Sequence, residues 1–202
     1  MIKHVVWFGL ILCCAFSTQP NKAPVRILFV GNSLTYTNNL PQLVTQVASK
    51  NDLNVKTEIL AYANYALEDH WNDGELQKLI ANGRFDYVVV QQGPSSQADG
   101  KAMLLDYGKR IKSLCIKHKV QLAFYLVWPA HSNYKMFDGV IANYTLAATG
   151  TNSILCPVGQ VWKNHFEATQ DFSYYGADGF HPSLAGSQRA AEVIFESLNL
   201  QQ

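Results

Sequence analysis

Five short apolar runs alternate with longer stretches of helical spacing from Pro24 onward. The clearest run, residues 86–91, is nearly continuous in Tyr and Val, as expected of a strand buried on both faces of a sheet. Strands separated by helices form βαβ units, so the sequence predicts an α/β fold, a three-layer α/β/α sandwich with a five-stranded parallel sheet. The predicted strands are residues 25–30, 55–63, 86–91, 121–128 and 153–158; the predicted helices are residues 40–53, 67–82, 98–119, 134–149 and 183–198.

The chain has 202 residues, which suits one domain with a sizeable core better than two. We find no internal repeat and no linker, and the predicted domain spans residues 24–199. Parallel sheets bind ligands beyond the carboxyl ends of their strands. The chemistry is therefore expected just after residues 30, 63 and 90 and after the last strand.

The N-terminus differs from the rest of the chain. A short basic start precedes an apolar run over residues 5–16, and small residues precede a possible cleavage point after Ser17. This pattern predicts a secretory signal peptide over residues 1–17 and a secreted or periplasmic protein. The alternatives are a buried strand or a membrane anchor, although a span needs about 20 apolar residues. A lipoprotein anchor at Cys13 is less favoured, because Leu12 stands where a small residue is needed.

Charge and cysteine content restrict the partners. Removal of residues 1–17 takes away one lysine and no acid, which leaves equal numbers of basic and acidic residues. A neutral domain is not drawn to nucleic acid or to anionic lipid. Since no metal-binding or phosphate-loop motif is present, we expect no metal and no cofactor. The remaining cysteines, Cys115 and Cys156, are either a disulfide or two separately buried thiols.

A serine follows the first predicted strand within the motif Gly31-Asn32-Ser33. This position places Ser33 at the sheet edge and at the start of a helix, where backbone N–H groups can stabilise an oxyanion. The alternative is that Ser33 is only a turn residue or a helix cap.

An acid and a histidine stand three residues apart near the C-terminus, at Asp178 and His181. A serine hydroxyl needs an adjacent base to act as a nucleophile, and a histidine can supply it near neutral pH. A carboxylate then holds the imidazole in the required tautomer. The sequence thus predicts Ser33, His181 and Asp178 as catalytic partners. The alternative is a surface histidine beside a turn-forming carboxylate.

These motifs resemble those of the SGNH hydrolases, the GDSL-type esterases. Residues 31–35 (Gly-Asn-Ser-Leu-Thr) are similar to block I, and residues 178–182 (Asp-Gly-Phe-His-Pro) to the C-terminal D-x-x-H-P block. The resemblance covers residues 24–199. Weaker similarities to the family's strand-end blocks lie at residues 86–93, 128–129 and 157–159.

The resemblance implies a flavodoxin-like SGNH hydrolase fold and ester hydrolysis through a serine acyl-enzyme. Ser33 would attack the carbonyl carbon of the ester. His181 would take the serine proton and later activate water, and Asp178 would orient His181.

The resemblance also implies an oxyanion hole, and here the sequence departs from the family. The family uses the serine N–H, a glycine N–H of block II and an asparagine side chain of block III. Block II contains no glycine here, and Asn64 is the best substitute because asparagine tolerates left-handed conformations. In block III the asparagine position holds Ser95. Gln92, just before Gly93, offers a side-chain amide, and this Gln-Gly pair is similar to that of some carbohydrate-esterase branches of the family. Gln92 is therefore predicted as the side-chain donor, with Ser95 second.

The substrate is predicted from rings near the strand ends. His70, Trp71 and Trp128 are expected to bind substrate, with Tyr36 and Tyr65 as further aromatic candidates, unless these side chains simply fill the core. The expected partner is a small-molecule or glycan ester; export, the Gln-Gly pair and the aromatic rings favour a carbohydrate, in particular an acetylated glycan. A lipid or thioester hydrolase would need a deeper apolar pocket. A non-catalytic glycan-binding protein would explain the altered blocks II and III.

Overall fold

The computed structural model describes residues 23–200 and contains one five-stranded parallel sheet. Its strand order is β2-β1-β3-β4-β5, which is the flavodoxin-like order, so the predicted fold class is confirmed. The predicted signal peptide, residues 1–17, lies outside the described residues. The strands are β1 (Val25–Gly31), β2 (Val55–Ala61), β3 (Tyr87–Val90), β4 (Gln121–Tyr125) and β5 (Ile154–Cys156).

Helices cover both faces of the sheet. Strand β1, which lies between β2 and β3, buries four consecutive side chains, residues 27–30, which requires a cover on each side. The helices are α1 (Ser33–Tyr36), α2 (Leu40–Lys50), α3 (Leu67–Asp73), α4 (Glu75–Asn82), α5 (Ala98–His118), α6 (Phe137–Gly150), α7 (Val158–Thr169) and α8 (Leu184–Leu198), with 3-10 turns at Thr37–Asn39 and His131–Met136. Helix α2 packs against α8, and α3 and α6 pack against α5. Within residues 23–200, no helix has the length and apolar character needed to cross a membrane.

Two predicted elements were wrong. The single helix predicted over residues 67–82 is two helices, because the chain takes a left-handed conformation at Gly74 (φ 73°). The strand predicted over residues 153–158 ends early, since Pro157 has no N–H for the ladder, and α7 begins directly after it. Helix α7 was missed, although its buried residues include Val158, Trp162 and Phe166 at four-residue spacing.

The two cysteines within the described residues are free thiols rather than a disulfide. Cys115 lies in α5 and Cys156 ends β5, and both are buried. Burial raises the pKa of each thiol to about 12, because a thiolate is poorly solvated in the core. Of the two alternatives left by the sequence, the structure therefore selects separately buried and unreactive thiols.

Strand register brings the ends of β1 and β3 together. Val30 is paired with Val90, and Gly31 on the other side is paired with Ala61 of β2. The strand order reverses between β1 and β3, which is where open α/β sheets bind ligands. The segments that follow these strands carry the candidate site.

Candidate active site

Ser33 is the first residue of α1, in a segment that we call the nucleophile turn (residues 31–35). Asn32 caps this helix, since its Oδ1 accepts a hydrogen bond from the backbone N–H of Leu34 at 3.1 Å. The Nδ2 of Asn32 donates to the carbonyl of Tyr65 at 3.0 Å. The cap thus joins the nucleophile turn to the loop after β2, which carries Asn64.

The structure brings Ser33, His181 and Asp178 into one chain of hydrogen bonds. His181 Nε2 lies 2.9 Å from Ser33 Oγ, and His181 Nδ1 lies 2.6 Å from Asp178 Oδ2. Because a carboxylate only accepts, Nδ1 carries the hydrogen, and Nε2 is left to accept the serine hydroxyl. The hydrogen bond from His181, followed by that from the Phe180 N–H, lowers the pKa of Asp178 to about 2. The carboxylate is therefore ionised wherever His181 can act as a base.

A tight turn presents Asp178 and His181 together. We call residues 178–182 the acid–base loop. Asp178 Oδ1 accepts the backbone N–H groups of Phe180 and His181, each at 2.9 Å, and Gly179 takes a left-handed conformation (φ 67°) between them. The loop leads into α8, which Ser183 caps through the N–H of Gly186. The D-x-x-H spacing therefore lets one carboxylate both shape the loop and bind the imidazole.

Trp128 supports the acid–base loop from beneath and does not bind substrate as predicted. Its side chain is fully buried and stacks on Trp162, with ring centroids 3.5 Å apart. Its Nε1–H donates to the carbonyl of Phe180 at 2.9 Å. The prediction was wrong because the segment that follows β4 directs this side chain into the core.

The predicted substrate contacts of His70 and Trp71 are also wrong. His70 is only 1% exposed, and its Nε2 lies 2.8 Å from the carbonyl oxygen of Gly31, to which it donates. Trp71 is half-buried and packs against the core rather than lining the cleft. Tyr65 is the one predicted ring that lines the cleft beside Ser33, and Tyr36 lies outside this lining and is exposed.

Burial of His70 predicts a pH effect on stability. Desolvation lowers its pKa below the ordinary 6.5, and the bond to Gly31 and the nearby carboxylates do not offset this. The folded state therefore favours the neutral imidazole. The folded protein becomes less stable as the pH falls from about 6.5 through the lowered pKa, because the imidazole must then be protonated or kept neutral at a cost in free energy. Thermal unfolding at about pH 7.5 and pH 5 should show a larger loss of Tm for the wild type than for His70→Gln.

The matched control for this experiment is His118→Gln, which removes a partly exposed histidine near the end of α5. This variant should keep the acid sensitivity of the wild type. Equal acid sensitivity of the wild type and His70→Gln would contradict the prediction.

An open cleft of about 340 Å³ lies beside Ser33. Its residues are Asn32, Ser33, Asn64, Tyr65, Ala66, Gln92, Gly93, Pro94, Ser95, Gly100, Met103 and Phe180. Asn64 is left-handed (φ 64°), as its predicted role requires. Among the described hydrogen bonds, the backbone N–H groups of Ser33 and Asn64 donate to no protein acceptor. Two donors thus remain for an oxyanion.

Gln92 and Ser95 line the cleft but have no hydrogen left to donate. Gln92 Nε2 donates to Ser95 Oγ at 2.7 Å and to the carbonyl of Gly100 at 3.0 Å, and Ser95 Oγ donates to the carbonyl of Gly93 at 3.0 Å. Tyr144 fixes the Gln92 backbone by donating to its carbonyl at 2.6 Å. These bonds contradict the prediction that Gln92 or Ser95 donates to an oxyanion. Both side chains instead stabilise the loop that follows β3.

A larger cavity of about 610 Å³ lies at the opposite edge of the sheet, near the start of β1 and the end of α8. Its lining contains no histidine, so no serine–histidine pair faces it. Within residues 23–200, no group of three or more His, Cys, Asp or Glu side chains is arranged to hold a metal ion. The smaller cleft is therefore the candidate active site.

Comparison with known proteins places the fold. No protein-family model matches the sequence, and no curated protein matches it. A protein from Slackia heliotrinireducens, described as a candidate SGNH hydrolase, is similar with a TM-score of 0.76 and 26% identity over 88% of this chain and 100% of that chain. A lipase/acylhydrolase from Enterococcus faecalis gives 0.69 and 16% identity over 86% and 95% of the two chains.

An acetyl xylan esterase variant from Geobacillus stearothermophilus gives a TM-score of 0.64 and 18% identity over 87% of this chain and 94% of that chain. The resemblance to SGNH hydrolases seen in the sequence motifs is therefore confirmed. The similarity to the Slackia heliotrinireducens protein, at 26% identity, supports a hydrolase.

Proposed function

We propose that this chain is an exported serine esterase that removes short acyl groups, principally acetyl, from a carbohydrate. The observation that carries the proposal is the hydrogen-bonded series Ser33–His181–Asp178, with distances of 2.9 and 2.6 Å, at the edge of an open cleft. Such an arrangement activates a hydroxyl that is otherwise a poor nucleophile.

The proposed reaction has two halves. Ser33 Oγ attacks the ester carbonyl carbon while its proton passes to His181 Nε2, and His181 returns that proton to the leaving alcohol oxygen as the C–O bond breaks. Water then loses a proton to His181 and attacks the acyl-enzyme, and Ser33 leaves with the proton. The Asp178 carboxylate stabilises the imidazolium in both halves.

Two backbone donors serve the oxyanion in this proposal. The N–H groups of Ser33 and Asn64 are unpaired among the described residues, and both residues line the cleft. Loss of one oxyanion donor typically lowers a rate by about 10²–10³-fold. A hole with two donors is therefore compatible with an enzyme of modest rate.

The cleft supports a small acyl group. It is open, it holds about 340 Å³, and most of its lining residues are small or polar. A long acyl chain needs a deeper apolar pocket to bury its methylenes, each of which contributes about 0.8 kcal/mol. Tyr65, together with the exposed Tyr62 whose ring centroid lies 5.0 Å away, offers ring surface on which a sugar can pack.

Phosphonate labelling tests the proposed function. A fluorophosphonate should form a covalent adduct at Ser33 in the wild type, located by peptide mass spectrometry, since only an activated serine reacts at a useful rate. His181→Ala should abolish labelling, whereas His118→Gln should leave it unchanged. An unlabelled wild type would favour a protein that binds glycans without hydrolysing them.

The dependence of the rate on acyl chain length should show which acyl group the enzyme prefers. We expect kcat/KM to fall by about tenfold or more from nitrophenyl acetate to nitrophenyl decanoate, because the open cleft cannot repay the ordering of a long chain. Steady-state rates across a series of acyl lengths measure this. A rise toward the longer esters would instead indicate a lipid or thioester hydrolase.

A further inference from the structure

Gln91 directly follows β3, and its side chain is buried beneath the nucleophile turn with 1% of its surface exposed. Its backbone N–H donates to the carbonyl of Val30 at 2.8 Å and so extends the β1–β3 ladder. Its side-chain Oε1 accepts from the backbone N–H of Asn32 at 3.0 Å and from Oγ1 of Thr35 at 2.8 Å. One oxygen therefore holds the residues on both sides of Ser33.

The orientation of this amide follows from the chemistry of its partners. A backbone N–H can only donate, so the oxygen and not the nitrogen of Gln91 must face Asn32. The Nε2 group then lies buried without a hydrogen-bond partner. A buried unpaired donor costs free energy, and a side chain that only filled space would carry no such cost. The two hydrogen bonds that the oxygen accepts therefore account for a glutamine at this buried position.

Gly31 connects this bond to the sequence motif. A Cβ at position 31 would lie 2.4 Å from Oε1 of Gln91 and 2.4 Å from Oγ1 of Thr35. The hydrogen bond between these two side chains occupies the space that any other residue at position 31 would need. The glycine and threonine of the motif and the glutamine after β3 therefore form one unit.

We propose that Gln91 is a positioning residue for Ser33, a role that rests on the proposed function. Its oxygen fixes Asn32 and Thr35, while the cap bond from Leu34 to Asn32 fixes the residue between Ser33 and Thr35. The Ser33 N–H is left unpaired for an oxyanion, and Ser33 Oγ is held 2.9 Å from His181 Nε2. Gln91 acts through the turn and touches no substrate.

Two substitutions separate the acceptor oxygen from the volume of the side chain. Gln91→Met keeps the length and removes the acceptor, whereas Gln91→Glu keeps an oxygen in the same place. We expect Gln91→Met to lower kcat for nitrophenyl acetate by about 10–100-fold, because small displacements of reacting groups are costly in rate. KM should change by less than about threefold, and Gln91→Glu should recover kcat to within about threefold of the wild type.

The rates are to be expressed per active site, counted by fluorophosphonate titration, so that a loss of folded protein does not count as a loss of kcat. The matched control is Gln188→Met, which changes an exposed glutamine on α8 and should leave kcat unchanged. If Gln91→Met does not fold, Thr35→Val takes its place, since it removes the 2.8 Å bond while keeping the side-chain shape.

Three results would overturn the proposal. A kcat within about twofold of the wild type for Gln91→Met, or for Thr35→Val in its place, would show that the nucleophile turn keeps its conformation without the bond to Gln91. Equal losses in Gln91→Met and Gln91→Glu would show that the oxygen is not what matters. A wild type that neither hydrolyses the ester nor reacts with the phosphonate would remove the proposed function, and the positioning role with it.

Discussion

Ser33→Ala is expected to lower kcat for nitrophenyl acetate by about 10⁴–10⁶-fold, with little change in the free energy of unfolding. The hydroxyl is the only group at this position that can form the acyl bond, whereas its contribution to folding is one hydrogen bond to a half-exposed histidine. Steady-state hydrolysis and thermal unfolding of the same preparations measure the two quantities.

Ser113→Ala is the matched control for this prediction. Ser113 is exposed on α5, where its Oγ donates to the carbonyl of Lys109 within the same helix. Its substitution should leave kcat and Tm unchanged. Equal rates for the wild type and Ser33→Ala would mean that the observed hydrolysis does not use Ser33, and the enzymatic interpretation would then fail.

The parts of the site that could be predicted are those that local sequence determines. Ser33 follows a strand whose apolar run is unmistakable, and the three-residue spacing of Asp178 and His181 builds its own turn through the carboxylate. Because parallel strands all present their carboxyl ends at one edge, a serine after β1 and a loop before α8 were expected to meet there. No long-range contact had to be known.

The errors have a common physical origin in burial. Trp128 ends one predicted strand and Gln92 follows another, but sequence position does not say whether a side chain at a strand end faces solvent or core. The Trp128 side chain points inward and stacks on Trp162, and the Gln92 amide donates both of its hydrogens, to Ser95 and to Gly100. Such outcomes depend on partners more than thirty residues away or on the exact path of a loop, which a linear pattern does not contain.

Gln91 is a residue whose role could not be predicted for the same reason, because the sequence does not show which way its side chain points. A glutamine that ends an apolar strand is visible in the sequence, yet Gln91 and Gln92 are adjacent and equally polar. Only the register of β3 beside β1 decides that Gln91 points beneath the nucleophile turn. The signal that could have identified it is the glycine at position 31, whose missing Cβ leaves room for a side chain from the neighbouring strand.

Asp178→Asn is expected to lower kcat by about 10⁴-fold while leaving the acid–base loop in place. An asparagine can still accept the N–H groups of Phe180 and His181 through its remaining oxygen. Its amide nitrogen would face His181 Nδ1 and donate to it, so the imidazole hydrogen would move to Nε2. That nitrogen could then no longer accept the proton of Ser33.

The matched control is Asp106→Asn, which removes an exposed carboxylate paired with Arg110 on α5 and should leave kcat unchanged.

Because the pKa of Asp178 is lowered to about 2, its pairing with His181 is complete above the ordinary carboxyl pKa of 3.8 and is lost only as the pH falls toward 2. The defect of Asp178→Asn relative to the wild type should therefore persist across the neutral range, and pH–rate profiles of both proteins test this. A kcat within about tenfold of the wild type would show that His181 is oriented without Asp178. The contacts that remain on the loop, from Trp128 to the carbonyl of Phe180 and from the His131 N–H to the carbonyl of Gly179, would then have to be sufficient to hold the imidazole.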